Sequence, residues 1–127
     1  MKKLVSALFV GIGLLNLFPI IGVISADQLA SLYGITIDSA SLETLMRHRA
    51  VLLGLIGGLL LFAAFHRPLQ VIAAVVGLIS MASFVVLAYL AGDIGADIKK
   101  VVVADIAGSI AAALVLVLAL KQQHNAS

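Results

Sequence analysis

Four long, predominantly apolar segments alternate with shorter polar connections along the chain. They cover residues 4–26, 39–65, 68–91 and 101–120. At 1.5 Å per residue, the roughly 22 residues of the first segment form a helix of about 33 Å, enough to cross the hydrocarbon core of a bilayer. The second segment is long enough if the turn that carries its basic residues lies at the interface. The pattern predicts an all-α protein, an integral membrane four-helix bundle in one domain.

The long polar connection, residues 27–44, separates the first two predicted helices. Asp27 is a candidate N-cap and Gly34 a candidate C-terminal residue of a short helix. Its apolar side would consist of Leu29, Leu32 and Tyr33. We therefore expect a short interfacial helix between helices 1 and 2.

The first segment allows a second interpretation. Lys2 and Lys3 precede the apolar run, and residues 24–26 have the small-residue character of a cleavage site. Residues 1–26 could thus be a secretory signal peptide, with three helices in the mature chain. If the segment is a helix of the bundle, Pro19 is expected to bend it and Asn16 to hydrogen-bond to other helices.

Composition strengthens the membrane interpretation. Of the 127 residues, 63% are hydrophobic and only 11% are charged, whereas soluble domains are about half apolar and a quarter charged. The net charge of +2 comes from scattered lysines and arginines, so we expect membrane lipids rather than nucleic acid as partners. There is no cysteine, which excludes disulfides and thiolate chemistry.

Basic residues are divided evenly between the two predicted membrane faces. With four crossings, one face carries Lys2, Lys3, Arg67 and Lys121, and the other carries Arg47, Arg49, Lys99 and Lys100. Because the first helix often decides orientation, the two N-terminal lysines predict cytoplasmic termini.

The candidate chemistry lies where the basic triplet Arg47, His48 and Arg49 meets an apolar run. Glu43 precedes Arg47 by four residues, the favourable order for a helical ion pair. Asp105 lies inside the fourth segment, and a carboxylate there suggests a function by default. We expect it to join the triplet, either as a proton- or ligand-binding pocket or as an ion pair that fixes the register of helices 2 and 4.

Small residues predict where helices approach one another closely. The candidates for helix packing are Asn16, Gly54, Gly57, Gly58, Gly77, Ser80 and Gly108. No recognisable catalytic motif or metal-ligand spacing accompanies them, so the sequence predicts no cofactor and no metal and favours a non-enzymatic role, with enzymatic activity left open.

Several short motifs resemble a known group of proteins. They are Arg-His-Arg-Ala from residue 47, Gly-x-x-Gly-Gly from residue 54, His-Arg-Pro-x-Gln from residue 66, Gly-x-x-Ser-Met-x-Ser-Phe from residue 77 and Lys-Val-x-x-x-Asp from residue 100. Together they resemble uncharacterised small bacterial four-helix inner-membrane proteins, some of which are labelled phosphopantetheine adenylyltransferase. The plan is also similar to that of DoxX-like proteins. The resemblance implies a four-helix membrane fold. It transfers no catalytic residue, because the His-x-Gly-His motif of the soluble adenylyltransferase is missing.

Three functions fit these features. The first is a structural or accessory protein that binds lipid, another membrane protein or copies of itself. The second is a small proton-coupled transporter that uses Asp105. The third is a binder of, or enzyme on, an anionic lipid-like molecule held by Arg47, His48 and Arg49, because arginine grips phosphate with two parallel hydrogen bonds.

Overall fold

The computed structural model describes residues 2–18, 30–31, 34–36, 38–92 and 94–126, without the side chains of the last two. Over these ranges the regular structure is helical, with four long helices and no strand. They are α1 (Lys2–Leu17), α2 (Ala40–Ala63), α3 (Gln70–Ala91) and α4 (Ala96–Ala126). Among the described residues, three stretches are long and apolar enough to cross a membrane, namely Ala40–Ala63, Arg67–Ala91 and Ala96–His124.

Part of the predicted first helix and its connection lies outside the described residues. Helix α1 is described from Lys2 to Leu17, and Pro19, the cleavage site at residues 24–26, Asp27, Leu29, Leu32 and Tyr33 fall in the omitted stretches. Gly34 is described, with φ of +64°, and the Ile35 N–H donates to the Ala30 carbonyl at 3.2 Å. This bond is typical of a helix that ends in a left-handed glycine.

Local sequence explains how α2 begins and how it connects to α3. The Ser39 hydroxyl accepts a hydrogen bond from the Leu42 N–H at 3.0 Å, as expected of an N-cap. After Ala63 the chain turns, and a short 3₁₀ helix, Arg67–Leu69, leads into α3. Pro68 sits in this turn, where a missing N–H is tolerated.

Helix α4 is longer than the predicted 101–120, and the predicted loop of residues 92–100 was too long. The Lys99 N–H already donates to the Gly95 carbonyl at 3.0 Å, and the Lys100 ammonium lies 3.7 Å from the Asp97 carboxylate one turn away. An acidic residue in the first turn is favourable to a helix N-terminus. Polar residues therefore extend the helix beyond its apolar part, so the edge of the hydrophobic run did not mark the helix end.

The helices form a ring in chain order, in which α1 packs along α2, α3 packs along α4, and the two pairs meet over smaller areas. Early residues of α1 contact late residues of α2, as in the 2.7 Å bond from the Ser6 hydroxyl to the Ala64 carbonyl, so the pair is antiparallel. The largest fully buried side chains are Phe9, Leu60, Met81, Val5 and Val115.

Candidate functional site

A cavity of about 480 Å³ lies between the four helices, at the end of the bundle where α2 and α4 begin. Most of its wall is apolar. This part consists of Leu15, Phe18, Leu52, Leu53, Ile56, Phe84, Leu87, Val101 and Ala104. The volume and the apolar lining are typical of sites that bind small molecules.

Charged side chains of both signs line the same cavity. The cations are Arg49 of α2 and Lys100 of α4, and the carboxylates are Asp97 and Asp105, both of α4. Two cations and two carboxylates leave the site without net charge. The cavity thus combines a long apolar wall with a polar region that can pair an anionic group and a hydrogen-bond donor at once.

Arg49 is held against the cavity wall by an aromatic ring. Its guanidinium carbon lies 4.8 Å from the centroid of the Phe84 ring, within the range of a cation–π contact. Asp105 lines the cavity on the other side, and Arg49 interacts electrostatically with its carboxylate. A single α2 side chain therefore contacts α3 and acts on a carboxylate of α4.

The predicted cluster of Arg47, His48 and Arg49 is divided by the helix that carries it. Arg47 pairs with Glu43 at 3.2 Å along the surface of α2, and His48 is exposed. Neither lines the cavity, whereas Arg49 does. Successive helical residues are rotated by about 100°, so three consecutive side chains cannot face one site. The structure brings Asp105 together with Arg49 and leaves the other two outside.

Asp105 lies well inside α4, one turn beyond Val101, where the apolar part of the helix begins. Because α4 begins at Ala96, the carboxylate is about 13 Å along the helix axis from its start. The Ser109 hydroxyl donates to the Asp105 backbone carbonyl at 2.7 Å. Helices α2 and α4 are not neighbours in the ring, and Arg49 and Asp105 line the cavity from these two helices.

Asp97 and Lys100 were missing from the predicted site because residues 92–100 were assigned to a loop. Both line the cavity. Their spacing of three residues, with the acidic residue first, is the signal that could have identified a helical ion pair.

The predicted packing residues have different surroundings. Gly54, Gly57, Gly77, Gly108 and Asn16 are buried, and the Asn16 amide donates to the Ile12 carbonyl at 2.8 Å and to the Met81 sulfur at 3.6 Å. Ser80 lines the cavity. Gly58 is exposed, and an added Cβ would meet nothing within 4 Å among the described atoms. The sequence did not single out Gly13, which packs directly against α2.

Within the described part of the chain, no group of three or more His, Asp or Glu side chains could hold a metal ion. Comparison of the chain with protein-family models, with curated proteins and with solved structures found no match. The resemblance to small four-helix membrane proteins therefore stays a prediction.

Proposed function

We propose that the protein is an integral membrane four-helix bundle that binds a lipid-like amphiphile in the cavity beside Arg49. Three stretches long enough to span a bilayer support the membrane location. So do the large apolar side chains that point away from the bundle, among them Leu55, Phe65, Ile72, Ile79, Leu90 and Ile110. In water such a surface would be a large exposed patch, whereas in lipid it needs no cover.

The cavity supports a more specific ligand than the sequence did. A fatty or isoprenoid-type chain fits its apolar wall, and an anionic group fits the Arg49 guanidinium, which can form two parallel hydrogen bonds. The carboxylates of Asp97 and Asp105 favour a hydroxyl or ammonium group on the same molecule. The ligand class is therefore an amphiphile that carries an anionic group and a hydrogen-bond donor. The observation that carries this proposal is the position of Arg49 over Phe84 in an otherwise apolar cavity.

Two arginines that lie two residues apart, and so point to different sides of α2, provide the test. The protein would be purified in mild detergent, and co-purifying amphiphiles would be quantified by native mass spectrometry. Arg49→Gln is expected to lower the bound amphiphile about tenfold or more, the effect of losing a charge-assisted contact. Arg47→Gln is the matched control, because Arg47 pairs with Glu43 outside the cavity. Equal loss in both variants, or equal retention, would remove the proposal.

A second candidate function, proton-coupled transport, is favoured by one observation. Asp105 belongs to a stretch long enough to span a membrane and lines the cavity, as expected of a carboxylate that exchanges protons with a substrate. The test uses proteoliposomes with an internal pH-sensitive dye and tetraphenylphosphonium as the cation. If Asp105 couples transport, addition of the cation releases protons in the wild type and not in Asp105→Asn. Identical traces for the two proteins would exclude this function.

The accessory role remains compatible with amphiphile binding. The outward apolar side chains and the exposed Gly58 offer a surface on which a second copy or another membrane protein could pack closely. We propose cytoplasmic termini because of the basic residues near the N-terminus. The proposal of a bacterial inner-membrane location rests on the resemblance to small bacterial inner-membrane proteins.

A further inference from the structure

A smaller cavity of about 280 Å³ lies at the opposite end of the bundle from Arg49. It is an open cavity bordered by the start of α1, the connection between α2 and α3, and the last part of α4. Its polar lining consists of Lys2, Ser6, Arg67, Gln70 and Gln122. Two of these side chains are cationic and none is a carboxylate, so this cavity, unlike the first, favours an anion.

Gln70 provides the second, independent observation. The residue is only 6% exposed, and its amide nitrogen donates to the Ala63 carbonyl at 3.1 Å. This bond fixes the orientation of the amide, because a flipped amide would bring two oxygens together. The amide oxygen is buried and has no hydrogen-bond partner among the described atoms. A buried acceptor without a partner is unfavourable, so a hydrogen-bond donor placed beside this oxygen would stabilise the site.

The other polar groups of the cavity are positioned by the backbone. The Ser6 hydroxyl donates to the Ala64 carbonyl at 2.7 Å, and one terminal nitrogen of Arg67 donates to the Gln122 carbonyl at 2.9 Å. A guanidinium has five N–H donors, so this bond orients Arg67 and leaves further donors for a ligand. Lys2 is exposed and reaches the cavity from α1, where it can adjust its position to a bound group.

We propose that this cavity binds a phosphate-bearing group that also carries a hydroxyl or ammonium donor. The phosphate pairs with Arg67 and Lys2, and the donor hydrogen-bonds to the Gln70 amide oxygen. Such a group can come from the headgroup of a membrane lipid or from a small soluble phosphate ester. The site is separate from the Arg49 cavity, and none of its lining residues is shared with it.

The test compares two lipids that differ in the donor. Phosphatidylethanolamine has N–H donors, and phosphatidylcholine has the same charge but none. Binding of each to delipidated protein would be measured by native mass spectrometry in an Arg49→Gln background, so that the first cavity does not contribute. Phosphatidylethanolamine is expected to bind about fivefold more tightly than phosphatidylcholine, as one hydrogen bond would give. Equal binding of the two lipids, together with no binding of the soluble esters below, overturns the proposal.

Substitutions at two adjacent lysines distinguish binding in the cavity from general electrostatic attraction to the charged N-terminus. Lys2→Gln is expected to weaken binding of phosphatidylethanolamine about fivefold. Lys3→Gln removes the same charge at the next residue. The Lys3 side chain does not line the cavity, so this substitution should change binding less than twofold. Equal effects of the two substitutions overturn the proposal.

Gln70→Leu tests the donor directly and should abolish the preference for phosphatidylethanolamine. It leaves the Ala63 carbonyl with a partner, because the His66 N–H also donates to it at 3.2 Å. A retained preference in Gln70→Leu, as expected if a water molecule merely occupied the amide oxygen, overturns the proposal. Should this variant fail to fold, the comparison of Lys2→Gln with Lys3→Gln, both at exposed positions, still tests whether the cavity binds the phosphate-bearing group.

The source of the group is determined by competition. Displacement of phosphatidylethanolamine by millimolar glycerol 3-phosphate, with weaker displacement by inorganic phosphate, supports a soluble ester as the ligand. Lipid binding that neither compound displaces supports a lipid headgroup. Failure of the amphiphile proposal would appear in Arg49→Gln against Arg47→Gln, and failure of this one in Lys2→Gln against Lys3→Gln, so the two outcomes are distinguishable.

Discussion

Gly13 of α1 and Gly57 of α2 lie in direct backbone contact. A Cβ added to Gly57 would come within 2.7 Å of both the Gly13 carbonyl oxygen and the Leu17 backbone nitrogen. A Cβ added to Gly13 would lie 3.1 Å from the Gly57 carbonyl oxygen and 2.8 Å from a carbon of Leu61. The pair allows the two helix backbones to approach more closely than any residue with a side chain would permit.

Gly57→Ala should therefore destabilise the bundle. The obstructing atoms are backbone atoms, so the helices would have to separate, at about 1–3 kcal/mol of unfolding free energy. The measurement is thermal unfolding in detergent followed by circular dichroism. Gly58→Ala is the control, since its Cβ would enter open space, and it should leave the melting temperature unchanged or raise it slightly. A similar loss in both variants would contradict the backbone contact.

Gly108→Ala should be milder than Gly57→Ala. The atoms that its Cβ would meet are the Met81 sulfur and a terminal carbon of Leu15. Ends of flexible side chains can rotate away, methionine most easily, so we expect a loss of under about 1.5 kcal/mol. The same unfolding measurement ranks the two variants. A larger loss for Gly108→Ala would mean that Met81 cannot move without breaking its contact with Asn16.

The contact between Arg49 and Phe84 should be measurable as a coupling energy. Single substitutions Arg49→Gln and Phe84→Leu and the double variant form a cycle, and we expect a coupling of about 0.5–1 kcal/mol. Chemical unfolding in detergent gives the four free energies. The same cycle with Arg47→Gln should give none, because Arg47 lies beside Glu43. Additive effects for Arg49 would show that Phe84 does not hold the guanidinium.

Membrane orientation can be tested because the chain contains no cysteine. Single cysteines at Lys3 and Ser41 would lie at opposite ends of the bundle, at exposed positions. With cytoplasmic termini, a membrane-impermeant maleimide should label Ser41→Cys in intact spheroplasts and label Lys3→Cys only after the membrane is opened. The reverse pattern would invert the orientation, and labelling of both in intact spheroplasts would exclude a spanning α1–α2 pair.

The hydrophobic pattern predicted the number and type of the helices better than their ends. Helices α2 and α3 begin and end within two residues of the predicted bounds, because a cap and a proline mark the changes in the chain. The ends of α4 carry charged and amide residues that are compatible with both helix and loop. Only the hydrogen bonds of the first turn decide that the helix begins at Ala96.

The site was predictable in part. A carboxylate within an apolar segment identified Asp105, and the basic triplet contained Arg49. Which of three consecutive residues faces the interior depends on the neighbouring helices, and a single sequence does not contain that information. A single sequence likewise does not show which of Gly11 and Gly13 faces another helix. Among the described residues, only Gly13 does.

The ring is made of two well-packed antiparallel pairs joined by weaker seams. The Gly13–Gly57 contact belongs to one pair and the contact of Gly108 with Met81 to the other, whereas the Arg49 cavity lies between them. A tilt of one pair against the other would preserve the Gly13–Gly57 and Gly108–Met81 contacts within the pairs, and would move side chains at the seams, such as Leu15 beside Gly108. Amphiphiles with apolar chains of different thickness would then fit the Arg49 cavity after a change in tilt. Selectivity among ligands would depend on the headgroup rather than on the apolar chain.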